Sequence, residues 1–213
     1  MDTLKFTLIA DGRSDRTLLR IIKWELDNLY PTIPNEGAYA DFSKLRKPPL
    51  NLLKKVELAL ELYPFDILFV HRDAENNIKS ILNERKNEIF KSIEEKLKPK
   101  TVCNVPIKMM EAWLLLEDQA IKKAAGNRNF KGQIALPKVS QLEDESQPKE
   151  KLYQLLKKVS GLKSRNLKKF NVNAAVHLVA EYTNDFRPLR QLSAFDHFEK
   201  NLKNCMQQYT NAK

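Results

Sequence analysis

Apolar residues follow two rhythms along the first hundred positions of this chain. Short, mostly apolar runs rich in β-formers, Leu4 to Ala10, Phe65 to Val70 and Thr101 to Ile107, predict buried strands. Between them apolar positions recur every three or four residues. Leu18, Leu19, Ile22 and Leu26 share one face and predict a helix from Asp15 to about Tyr30, capped by Ser14. Leu52, Leu53, Val56 and Leu60 predict a second helix, running from Pro48-Pro49 through Leu62, and residues 78–97 predict a third, heavily charged one. Pro31, Pro34 and Gly37 read as chain breaks, leaving 39–42 as a weak second strand. Strands separated by helices of this length predict parallel pairing through right-handed crossovers.

After Glu111 the rhythm is helical only. A helix over 112–125 ends at Gly126, a loop-rich stretch follows to Pro148, and helices are predicted near 149–160, 173–183 and 194–208. The expected fold is therefore α/β: a parallel sheet of about four strands flanked by helices in residues 1–125, with a basic helical lobe in 126–213 packed on or beside it.

Charge sharpens that division. Residues 1–100 carry 18 Lys/Arg against 16 Asp/Glu, whereas residues 101–213 carry 19 against 11, so nearly all of the net +10 sits in the second half. Such asymmetry suits a polyanionic partner, usually nucleic acid, and equally describes a Lys-rich solvated surface. No apolar run reaches the ~18 residues of a membrane span, and the first residues lack a signal-peptide pattern. A cytoplasmic protein without membrane attachment is expected. The two cysteines, Cys103 and Cys205, read as buried free thiols, and nothing has zinc-ligand spacing.

Three acidic clusters stand where predicted strands end: Asp11-Gly12-Arg13-Ser14-Asp15, His71-Arg72-Asp73-Ala74-Glu75, and Glu111 within Met109-Met110-Glu111-Ala112-Trp113. In open parallel sheets the carboxyl ends of neighbouring strands converge on one crevice. Carboxylates gathered there repel unless a cation lies between them, and hard oxygen donors suit Mg²⁺. Alternate positions 71, 73 and 75 can share one centre. Duller readings stay open. Asp11-Gly12 can be a turn with Ser14 and Asp15 as caps, and Asp73 to Glu75 or Glu111 can be helix starts favoured by the dipole. Arg13, Arg16 and Arg72 can hold a phosphate or simply neutralise the carboxylates.

Taken together, Ile9 to Asp15, Val70 to Glu75 and Pro106 to Trp113 resemble the motifs of small stand-alone Toprim-like proteins of bacteria, relatives of Toprim nuclease effectors in phage defence. The resemblance implies a Toprim-like sheet and a Mg²⁺- or Mn²⁺-dependent nuclease of DNA or RNA, controlled by a partner ATPase. Asp11, Asp73, Glu75 and His71 would be catalytic, and Asp11, Asp73, Glu75 and Glu111 would hold the metal. Asp11 stands where these proteins usually carry Glu. His71 stands where they carry Asp, which adds no charge for Mg²⁺ and makes Mn²⁺ more plausible.

Lys157, Lys158, Lys163, Arg165, Lys168 and Lys169 suit contact with a phosphate backbone, alongside Arg13, Arg16 and Arg72. Two competing functions remain at this level. One is a catalytically weak Toprim-shaped subunit that binds nucleic acid or a partner, favoured by His71. The other is a phosphotransferase or phosphohydrolase acting on small molecules.

Overall fold

The structure, a computed structural model, describes residues 3–74, 79–107 and 109–211. Strand β1 (Leu4–Ile9) lies inside the sheet, with β2 (Asn35–Tyr39) on one side and β3 (Ile67–His71) on the other, and β4 (Thr101–Asn104) beyond β3. All neighbours pair in parallel. The fold is α/β, as expected.

The strand order reverses direction after β2, and the helices follow. Helix α1 (Leu18–Leu29), which joins β1 to β2, packs on one face through Leu18, Ile21 and Ile22. Helices α2 (Leu52–Leu62) and α3 (Lys79–Lys91) pack on the other, where Leu52, Val56, Ala59 and Ile89 meet Leu68, Val70 and Cys103. Right-handed crossovers require this change of face. Helix α2 starts at Asn51, whose side chain accepts from the Lys54 amide at 2.9 Å.

Two sequence expectations shift. The second strand covers 35–39, not 39–42, and runs through Gly37. A Cβ there would lie 2.3 Å from Cζ of the buried Phe6, so glycine is what lets this edge strand lie across the ring. The first helix opens with a 3-10 turn, Arg13–Thr17, preceded by Gly12 in place of a Ser14 cap. The Asp15 carboxylate folds back to accept from the Gly12 amide at 2.8 Å.

The C-terminal helices α4 (Asp118–Ala124), α5 (Pro148–Ser160), α7 (Val172–Tyr182) and α8 (Ser193–Asn211) cover the α1 face, and the short α6 (Ser164–Lys168) stands outside them. Helix α5 begins at a proline and ends at Gly161, whose φ of +68° closes the helix in the left-handed region. One continuous core joins Phe6, Phe69 and Val102 of the sheet to Trp113, Leu156, Val179, Phe195 and Phe198. Trp113 is 1% exposed and meets Phe195 edge-on, which makes it a core residue. Cys103 and Cys205 are free and buried. No helix among the described residues is long and apolar enough to cross a membrane.

Candidate active site at the carboxyl ends of the strands

Strand order reverses between β1 and β3, and open parallel sheets bind ligands at such a switch point. Strand β1 leads into Asp11 and, through the 3-10 turn, to Asp15. Strand β3 ends on His71, followed by Arg72 and Asp73. Strand β4 ends on Asn104, and a second 3-10 turn, Met110–Leu114, carries Glu111. His71 and Asn104 are register partners. Side chains alternate along strands, so both leave the sheet on the face of Phe69 and Val102, beneath the C-terminal helices.

These elements gather a buried polar group. Asp15, His71, Asn104 and Glu111 are almost wholly buried. His71 Nδ1 lies 3.2 Å from the Asn104 carbonyl, which only accepts, so the proton sits on Nδ1. Its Nε2 stands 3.3 Å from Asp73 Oδ1 and 3.8 Å from Asp15 Oδ2. His71 Nε2 and Asp73 Oδ1 thus face each other as an ion pair, whereas both carboxamide atoms of Asn104 lack a partner among the described residues. Buried polar atoms are seldom left so.

Burial raises the Asp15 pKa, outweighing His71 and the Gly12 and Ser14 donors. Burial also raises Glu111, with Asp73 and Asp15 adding repulsion against the pull of Lys149, whose ammonium is 3.8 Å away. Burial opposes a charge on His71, but Asp73 and Asp15 prevail and hold its pKa above the ordinary value. Burial thus favours the neutral form of the two acids, while the carboxylates favour the charged form of the imidazole.

Asp11 keeps different company. Its half-exposed carboxylate meets Arg72 Nε at 2.6 Å and Lys55 Nζ at 3.0 Å. Arg72 also lies 3.5 Å from Glu88. For Asp11 the neutralising-cation alternative describes the contacts; Glu111 has only the more distant Lys149, and Asp15 and Asp73 share His71. Glu75 lies outside the described residues. Among the described residues, no three His, Cys, Asp or Glu side chains stand within ligating reach of one point. The oxygens of Asp15, Asp73 and Glu111 are the hard donors a divalent cation takes, but as placed they do not converge on one point.

Arg16 is exposed beside His177, and Lys157, Lys158, Lys163, Arg165, Lys168 and Lys169 are exposed along the end of α5 and α6. None of these six forms an ion pair among the described residues; Lys158 donates to the Gln133 carbonyl at 3.1 Å. Sequence reasoning left Asp15 open as a ligand or a helix-start carboxylate and missed Asn104 and Lys149. A polar residue closing the apolar run Val102-Cys103 was a readable signal for Asn104. Lys149 had none, because its proximity to Glu111 depends on how α5 docks. No protein-family model, curated protein or solved structure matches this chain.

Proposed function

We propose that this chain is a divalent-metal-dependent hydrolase of phosphodiester bonds in nucleic acid, working at the Asp15–His71–Asp73–Glu111 group. The observation that supports the reading is a buried polar group at the strand switch point, in which the Asn104 carboxamide lacks a partner among the described residues and burial raises the pKa of Asp15 and Glu111. Mg²⁺ or Mn²⁺, if bound there, would neutralise phosphate charge and acidify a water for attack. Asp15 and Asp73, which flank His71 Nε2, would hold it, with Glu111 adding negative charge from nearby.

The chain's own residues define the rest. His71 keeps Nδ1 on the Asn104 carbonyl and points Nε2 between Asp15 and Asp73, so a proton carried at Nε2 can be given to a leaving oxygen. The raised pKa of His71 favours that charged form. Ser14 and the Gly12 amide fix the Asp15 rotamer. Lys149 approaches from α5, where a phosphate can share it with Glu111. The unneutralised cations around α6 suit sequence-independent backbone contact.

A second reading, a nucleic-acid-binding subunit with a weak centre, is favoured by the engagement of Asp11 with Lys55 and Arg72. Labelled single- and double-stranded DNA and RNA incubated with Mg²⁺, Mn²⁺ or EDTA separate the two. The hydrolase reading expects metal-dependent cleavage that Asp73→Asn reduces at least about 100-fold. Binding without cleavage under every metal condition selects the second reading.

A further inference from the structure

Beside the acidic group a cleft of about 580 Å³ opens between α5 and α7, lined by Ser14, Lys149, Tyr153, Asn171, Asn173 and His177. Its two inner corners belong to the site already described: Ser14 donates to Asp15 at 3.2 Å, and Lys149 reaches Glu111. We propose that this cleft holds one nucleotide of a single-stranded nucleic acid, with Tyr153 as the platform for the base and Lys149 on the phosphate nearest the carboxylates. The assignment rests on the hydrolase reading only for the direction in which the strand enters.

Position and chemistry fit the role. Lys149, Tyr153 and Lys157 are spaced four apart on α5, so they fall along one face and lead from Glu111 towards the exposed cations of α6. Cation, aromatic ring and cation in series make up the usual surface for an unpaired strand, in which bases stack and phosphates are neutralised. The Tyr153 ring is fixed, because its hydroxyl donates to Asn173 Oδ1 at 2.6 Å. Lys149 is held loosely, 3.8 Å from Glu111 and 6.0 Å from the Tyr153 ring centroid, and can turn to an incoming phosphate. At the far end, burial and the nearby Arg16 lower the His177 pKa, leaving a neutral imidazole able to donate or accept. Arg16 stands just beyond it, placed for a second phosphate.

Fluorescence anisotropy in EDTA tests the proposal without metal or catalysis. The probes are a labelled ten-residue oligothymidylate, its ribose counterpart, the corresponding duplex, and an abasic strand of equal charge. The parent protein should bind the thymidylate about ten-fold more tightly than the abasic strand, and more tightly than the duplex. Tyr153→Leu should bind thymidylate and abasic strand alike, while Tyr153→Phe, which keeps the ring, should retain the preference. A ribose strand held more tightly than the deoxy strand would identify RNA as the ligand; equal binding would identify either strand type. Equal binding of abasic and thymidylate strands by the parent, preference for duplex, or an unaltered Tyr153→Leu protein would overturn it. Failure of the metal reading would leave these results unchanged, so the two fail separately.

Discussion

Glu111→Gln should stabilise the metal-free protein. The Glu111 side chain is 3% exposed, and its nearest cation, Lys149, is itself 35% exposed at 3.8 Å. At that distance an ammonium offers about 1 kcal/mol in water-like surroundings and about 4 kcal/mol in a protein-like dielectric. Against this stand a desolvation penalty of several kcal/mol for a buried ion and repulsion from Asp73 and Asp15. Glutamine keeps the shape and removes the charge. We expect a gain of about 1–2 kcal/mol at pH 8, or roughly 2–8 °C in Tm for a chain of 213 residues. The sign depends on pH. Because the folded pKa lies above the ordinary 4.5, the folded state holds this proton more tightly than the unfolded chain. Stability associated with the protonated carboxyl is intact below 4.5 and is lost as pH rises through the folded value. The variant's advantage should therefore be small near pH 4.5 and grow with pH, as read by differential scanning calorimetry in EDTA. A variant that melts below the parent at pH 8 would mean that Glu111 is a paired structural carboxylate, and the under-compensated site would lose its main support.

Other consequences concern the fold and the binding surface. Arg190 holds the fully buried Glu25 at 2.8 Å and also pairs with Glu199, so Arg190→Ala should lose about 3 kcal/mol in urea unfolding, with Glu25→Gln restoring part of it. Gly37→Ala should destabilise by about 1–3 kcal/mol, because the buried Phe6 ring occupies the space a methyl group needs. Replacing Lys163, Arg165, Lys168 and Lys169 by Gln should lower the salt dependence of single-strand binding by nearly 3 in log–log slope, at about 0.7 per contact; an unchanged slope would place the strand elsewhere.

The strand–helix alternation was legible because each βαβ unit carries its own apolar rhythm, and four parallel strands followed from it. The start of strand β2 was misread by four residues because glycine and proline signal turns locally, whereas Gly37 answers a tertiary contact with Phe6. The candidate site was legible by location, since acidic clusters marked the ends of β1 and β3. Its membership was less so. Asp11 and Asp15 are only four apart, and what separates them is packing: Lys55 from α2 and Arg72 after β3 take the first, while the turn buries the second. The cleft between α5 and α7 was illegible, because helices distant in sequence form it.

Direct titration of the EDTA-stripped protein with Mn²⁺ tests the central claim most closely, with free ion followed by electron paramagnetic resonance. The parent should take up Mn²⁺ at one saturable site that Mg²⁺ displaces. Asp73→Asn should weaken uptake by at least ten-fold, and Asp11→Asn should leave it nearly unchanged. Absence of uptake by the parent, or loss through Asp11→Asn but not Asp73→Asn, would contradict the account.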